Sequence, residues 1–297
     1  MNISSFIQIF IYYNEFHMSK VQLYPGKYTY NQCIQIFDVQ NDSAPIKTKT
    51  FVFDLDETLG SFGDFYALWL KLDSEVRTKY EVFRSLFELY PEFLRYGICD
   101  VLSFIAKKYL LGYCTPIYIY TNNQCVYPNW VSLILRFFDD RLGFSDGQSL
   151  FEKPICAFQI GGKRIEVGRT SHEKSYADLI RCSMLPKTAE VCFVDDVGYK
   201  KMRHDKVYFI QVAPYCHHLS GDEIAERFVT SAIYRDLYPE KKTWVPKWKT
   251  HEPRPGDIAV FHKLMYYVRE FFFVSLKREA TRKRRTRVAK FTRKKRA

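Results

Sequence analysis

Three short apolar runs constrain this chain more than any other feature, because each stops abruptly on carboxylate, hydroxyl or amide side chains. The first is Thr50-Phe51-Val52-Phe53, followed by Asp54-Leu55-Asp56-Glu57-Thr58-Leu59-Gly60. The second is Ile117-Tyr118-Ile119-Tyr120, followed by Thr121-Asn122-Asn123, and the third is Val191-Cys192-Phe193-Val194, followed by Asp195-Asp196. Unbroken runs of this kind fit strands buried on both faces of a parallel sheet, although one run alone reads equally well as buried helix. Helical patterning between the three favours an α/β fold, a Rossmann-like parallel sheet flanked by helices. Ligands of such sheets bind beyond the carboxyl ends of the strands, so Asp54, Asp56, Thr121, Asp195 and Asp196 are expected to converge on one edge.

Between these runs the pattern changes character. Residues 18–49 read as strand and turn material, with Tyr24-Pro25-Gly26-Lys27 a turn. From about Phe65 to Leu111 the chain reads as helix, with Val82, Leu86 and Leu89 on one stripe and Phe83, Phe87 and Tyr90 beside it. Stripes at that spacing are packing rather than a cofactor pocket, and they predict a helical insertion over 61–111. Ile155-Cys156-Ala157-Phe158-Gln159 and Arg164-Ile165-Glu166-Val167 flank Gly161-Gly162, which predicts an inserted β-hairpin. Thr170-Ser171-His172-Glu173 matches a capping box and predicts a helix opening at Lys174. Val207-Tyr208-Phe209-Ile210 predicts another buried strand, and a helix is expected from about Asp257 to Leu276. Its charges at Lys263, Arg269 and Glu270 argue against a membrane span. The expected organisation is an extension over 1–47, a catalytic domain over 48–235, a linker over 236–256, that helix over 257–276, and a disordered basic tail over 277–297.

Composition narrows the chemistry. The net charge of +12 is concentrated: residues 277–297 hold twelve Lys or Arg and one Glu, which leaves a nearly neutral body. Eight cysteines are scattered with no Cys-x-x-Cys pair, which suggests neither a zinc site nor a disulfide framework and makes a reducing compartment the simpler expectation. No cysteine has an arginine six positions on, so cysteine-based phosphatase chemistry is excluded, and no Walker A or dinucleotide-binding glycine pattern occurs. The run Phe6–Tyr13 is too short to span a membrane and lacks the basic flank of a signal peptide. Met18 is an alternative first residue, which would make residues 1–17 an upstream extension.

Phosphoryl transfer needs a nucleophile, a proton donor for the leaving oxygen, and positive charge around the transferring oxygens. Asp54 and Asp56 suit the first two roles, and an aspartate nucleophile would split one hard hydrolysis into two steps. The carboxylates alone repel phosphate, so a hard cation on Asp54, Asp56 and Asp196, most naturally Mg²⁺, is expected to offset them. Lys174 would add positive charge at a helix amino terminus. Taken singly these signals are modest: Asp-x-Asp also occurs in calcium loops and sugar-nucleotide metal sites, Asp-Asp is usually a solvated turn, and a lone helix Lys is usually a surface charge. Their order and strand context carry the reading.

In that order the motifs resemble the haloacid dehalogenase superfamily of Mg²⁺-dependent phosphatases, over about residues 48–230. Asp54-Leu55-Asp56-Glu57-Thr58-Leu59 is similar to the branch of RNA polymerase II C-terminal-domain phosphatases and NLI-interacting-factor-like proteins, particularly the versions carried by large DNA viruses. The resemblance implies a haloacid-dehalogenase-like fold, with Asp54 as nucleophile and metal ligand. It implies Asp56 as general acid then base with its carbonyl on the metal, Thr121 as a phosphoryl donor, Lys174 as the stabilising charge, and Asp196 as a ligand with Asp195 beside it. Thr58, Asn122 and Lys153 are the expected substrate contacts. Two departures stand out: Asp195-Asp196 where the branch often has Asp-Asn, and Lys153 ahead of Cys156 where it has an arginine. The implied substrate is a phosphoserine or phosphothreonine protein, with the polymerase tail as candidate, in the nucleus or cytoplasm of a cell.

The clusters Arg282-Lys283-Arg284-Arg285 and Arg293-Lys294-Lys295-Arg296 suit a nucleic-acid arm or an import signal as well as a solubilising extension, and less readily an anionic membrane surface. Rival functions are therefore a binding protein recruited to nucleic acid or chromatin on a phosphatase fold, and a phosphatase of small molecules or nucleic-acid ends.

Overall fold

The computed structural model describes residues 48–125, 130–144, 147–240 and 250–274. The readings for residues 1–47, for linker residues 241–249 and for the basic tail fall outside the described residues. Strands β1 (Lys49–Phe53), β2 (Tyr118–Ile119), β5 (Glu190–Asp195) and β6 (Val207–Gln211) form one sheet in the order β2-β1-β5-β6, all parallel. β3 (Gln159–Ile160) and β4 (Lys163–Arg164) form the expected hairpin, antiparallel across Gly161 and Gly162. Both glycines have positive φ, 54° and 77°, as a two-residue turn matched to the twist of its strands requires. Residues 151–155 continue the sheet beyond β2 through bridges at Ile117–Phe151 and Tyr120–Ile155.

The apolar runs are unbroken because both faces of β1 and β5 are covered. Phe51, Phe53, Cys192 and Val194 point into one buried cluster, and Val52, Val191 and Phe193 into a second on the opposite face. That alternation is the period of two that a strand imposes on its side chains. The larger cluster lies against α1 (Gly63–Leu70), α2 (Tyr80–Leu89), α3 (Ile98–Leu110), α4 (Trp130–Leu142), α6 (Gly221–Val229) and α8 (Pro255–Phe271). The smaller lies against α5 (Tyr176–Ser183) and the turn Lys200–Met202. A short helix, α7 (Ala232–Leu237), follows α6.

The helical insertion is held by aromatic rings: Phe65 stacks on Phe87 at 4.6 Å and meets Trp130 at 5.3 Å, and Phe87 meets Phe137 at 4.3 Å. Each such ring removed from water contributes roughly 1.5–3 kcal/mol. At the other end of the sheet, Lys49 Nζ donates to the carbonyls of Phe271 and Val274 at 2.7 and 2.8 Å and pairs with Glu190 at 3.0 Å. This cation satisfies carbonyls left open at the end of α8 and fastens that helix to β1. α8 therefore stops at Phe271 rather than Leu276, and it starts at Pro255, whose fixed φ suits the first helical position.

Two expectations are corrected. The helix after the hairpin opens at Tyr176, not Lys174: Ser175 caps it by accepting the Asp178 N–H at 3.1 Å. Thr170 spends its N–H and hydroxyl on the Asp178 carboxylate, at 3.0 Å each to Oδ2, so residues 170–174 stay outside the helix. And two of the scattered cysteines, Cys125 and Cys156, form a disulfide, their Cα atoms 5.8 Å apart across a separation of 31 residues. Among the described residues, no helix is long and apolar enough to cross a membrane.

Candidate active site

β1 is the switch point of the sheet: the chain passes from it to β2 on one side and returns to β5 on the other. That is where open α/β sheets present their crevice. Phe53 lies opposite Val194, so Asp54 and Asp195 leave the sheet side by side, and the Asp54 N–H still donates to Val194 O at 2.9 Å. On the other flank the Tyr120 N–H donates to Phe53 O at 2.8 Å, which sets Thr121 beside the end of β1.

One carboxylate oxygen from each of Asp54, Asp195 and Asp196 lies within 4.8 Å of the other two, so the three could hold a metal ion. The donor set is all oxygen and acidic, the kind hard divalent cations take. Among the described residues its only direct cation is Lys174, 1% exposed, whose Nζ donates to Asp54 and, at 2.7 Å, to Asp195. One ammonium against three carboxylates leaves the net negative charge that a divalent ion would match. The Asp56 side chain stands outside this trio.

Crowded, poorly hydrated carboxylates hold protons more tightly. Burial pushes Asp54 up, against the pull of Lys174. Burial pushes Asp195 up to about 7, with Lys174 opposing and the Asp54 charge adding to the rise. Asp56 is pushed up to about 6 by burial and by the Asp54 charge, while the Asn123 amide and Lys174 pull it back.

The loop that carries Asp56 is tied down from below. Glu57 adopts a left-handed backbone, φ 60°, and its carbonyl accepts from Arg95 Nη2 at 2.6 Å and from the Tyr215 N–H at 2.9 Å. Arg95 Nε also donates to Thr58 O at 2.5 Å. Gly60 closes the loop where a Cβ would sit 2.4 Å from Phe93 O. Thr58, expected to touch substrate, holds Asp196: its hydroxyl donates to Asp196 Oδ1 and accepts the Asp196 N–H, both at 3.1 Å.

Of the other expected residues, Thr121 is buried and its hydroxyl accepts the Asn123 N–H at 3.0 Å. Asn122 is exposed, its amide oxygen accepting from Arg169 at 2.9 Å. Lys153 is exposed, and no hydrogen bond or ion pair joins it to the site among the described residues. Sequence reasoning missed Asn123, which touches Asp56, and the buried arginines 95 and 169. Arg95 had one faint signal, a charge inside the apolar stretch Phe93-Leu94-Arg95-Tyr96; Arg169 had none.

No protein-family model matches this chain, and comparisons with curated proteins and with solved structures return no match.

Proposed function

We propose that this chain is a Mg²⁺-dependent phosphoric monoester hydrolase acting through an aspartyl phosphate on Asp54. The observation that carries the reading is the meeting, at the switch point of a parallel sheet, of Asp54, Asp195 and Asp196 with a buried Lys174 that touches the first two. The haloacid-dehalogenase resemblance of the same positions points the same way. Asp54 attacks phosphorus, and Asp56 gives its proton to the leaving oxygen as the ester bond breaks. Asp56, now ionised, takes a proton from water as that water attacks the aspartyl phosphate, releasing phosphate and regenerating Asp54. A carboxyl near 6 exchanges its proton close to neutrality, which suits a group that must act first as acid and then as base. Lys174 holds Asp54 in place and offsets charge on the phosphoryl oxygens, and the Thr121 hydroxyl supplies a hydrogen bond to them. Bound at Asp54, Asp195 and Asp196, Mg²⁺ would neutralise the carboxylates and polarise the phosphoryl group.

The substrate class we propose is a phosphoserine or phosphothreonine protein, with the RNA polymerase II tail as first candidate. The test is phosphate release from a polymerase-tail phosphopeptide and from an aryl phosphate, with Mg²⁺ or chelator, alongside Asp54→Asn. Metal-dependent release abolished by the substitution is expected on both. Release from the aryl phosphate alone discards the protein substrate, and silence on both discards the enzyme in favour of the binding-protein reading.

A further inference from the structure

Arg169 takes no part in the steps above, yet it is among the largest fully buried side chains of the protein, with no surface exposed. A guanidinium carries five N–H donors in a rigid fork, and burying it without partners is costly. Among the described residues its hydrogen-bond partners are not carboxylates. Nη1 donates to the carbonyls of Thr121 at 2.9 Å and Cys156 at 2.7 Å. Nη2 donates to Asn122 Oδ1 and to the carbonyl of His172, each at 2.9 Å. Nε is buried without an acceptor among the described residues, and the fork lies 4.8 Å from the centre of the Tyr120 ring.

These acceptors sit on three segments that meet nowhere in the sequence. Thr121 and Asn122 head the loop whose Asn123 amide reaches Asp56. Cys156 precedes Ala157, whose N–H donates to Asn123 O at 2.9 Å. His172 lies two residues before Lys174, in the non-helical stretch that carries the ammonium to Asp54. A single side chain therefore fastens the loop bearing the phosphoryl donor to the segment bearing the stabilising cation. Ordinary ion pairing would not select this arrangement, because a carboxylate would satisfy the guanidinium more strongly than carbonyls do.

We propose that Arg169 is the positioning residue of the phosphoryl-transfer site, clamping the Thr121–Asn123 loop and the approach of Lys174 to one another. The proposal rests on the phosphatase reading for its catalytic half and on geometry alone for the clamp. Only a planar fork spans three segments, so lysine, a point donor, cannot replace it. The Cys125–Cys156 disulfide still joins two of the segments in a variant, which favours a folded protein.

The experiment compares wild type, Arg169→Lys and Asn122→Ala in Mg²⁺ by aryl phosphate kinetics, thermal midpoint and amide hydrogen exchange. Arg169→Lys should lower kcat about 10- to 100-fold, as a displaced catalytic group does, with KM within about threefold. Exchange should quicken in peptides covering 119–125 and 170–175 and stay unchanged in β5. Asn122→Ala, which removes one exposed acceptor without touching the core, should quicken exchange in 119–125 alone and lower kcat less. Wild-type kcat and exchange in Arg169→Lys overturn the proposal. If Arg169→Lys loosens every segment alike, unchanged kcat and exchange in Asn122→Ala overturn it too. An inactive wild type sinks the phosphatase reading and the catalytic half with it, and exchange then decides the clamp alone.

Discussion

The metal-free protein should lose stability as pH rises from about 4 to about 7, the reverse of an ordinary acid-sensitive protein. Asp56 titrates at about 6 in the folded state against 3.8 ordinarily, so between those values the folded state binds more protons than the unfolded state. Stability then falls with rising pH: the contribution is complete below pH 3.8 and gone once pH passes 6. A gap of about 2.2 between the two values is worth roughly 3 kcal/mol, of which about 1.4 kcal/mol falls between pH 5 and pH 8. Asp54 and Asp195 are raised too and act with the same sign, but they share Lys174 and their contributions do not add. Glu92 opposes them: Arg227 and backbone donors outweigh its burial and lower it, so its contribution is lost only as pH falls below 4.5. The assay is urea unfolding in chelator at pH 5, 6, 7 and 8, followed through the buried Trp69 and Trp130. Wild type should lose about 1.4 kcal/mol more than Asp56→Asn across that range. Parallel profiles for the two proteins would refute the argument. Because metal binding needs ionised carboxylates, stabilisation by added Mg²⁺ should grow from pH 5 to pH 8.

Three further outcomes follow from individual contacts. Lys174→Met leaves Asp54 and Asp195 without their cation, and at pH 8 it should destabilise the metal-free protein by about 3–5 kcal/mol, less at pH 5 where the carboxylates take protons instead; the same urea melts measure both. Thr58→Val removes the two hydrogen bonds that orient Asp196 and should weaken Mg²⁺ binding about 10- to 100-fold by calorimetric titration, with an unchanged far-ultraviolet spectrum. Reducing the Cys125–Cys156 disulfide frees a loop of about thirty residues and should lower unfolding free energy by up to about 3.7 kcal/mol, with Cys125→Ser insensitive to reductant.

What could be read from sequence was whatever is decided locally or by two-sided burial. β1 and β5 were legible because both faces of each strand are covered, which leaves no polar position inside the run. β2 was legible only as a run: four apolar residues yield a two-residue strand, because its outer neighbour touches it through isolated bridges. Strand ends then located Asp54, Asp56, Thr121, Asp195 and Asp196 without further help. Lys174 was singled out from sequence and reaches Asp54 and Asp195, but its helical frame was wrong, since a capping box is a local signal and the bonds from Thr170 to Asp178 and from Arg169 to His172 override it. Arg95 and Arg169 stayed hidden because most of their partners are distant, 37 to 118 residues away for Arg95 and 47 and 48 for the Thr121–Asn122 contacts of Arg169, and the cysteine pair because a spacing of 31 carries no signature.

A buried ammonium between two carboxylates can serve stability or chemistry, and charge balance separates the two. A structural pair sets one charge against one, as Arg227 does with Glu92. Lys174 instead faces Asp54 and Asp195 directly, with Asp196 and Asp56 close by; burial, and less strongly the neighbouring carboxylates, raise Asp54, Asp56 and Asp195 against its pull. In that condition a phosphate dianion meets net negative charge and is repelled. A divalent cation on the trio offsets that charge, and only then does Lys174 have charge to offer an incoming phosphoryl group. Binding is therefore expected to be ordered, metal before phosphate. Calorimetric titration of inorganic phosphate into the protein should give no heat in chelator and a saturable signal with Mg²⁺ present, lost in Lys174→Met. Equal phosphate affinity with and without the metal would mean that the three aspartates do not govern the anion, and the charge argument would fail.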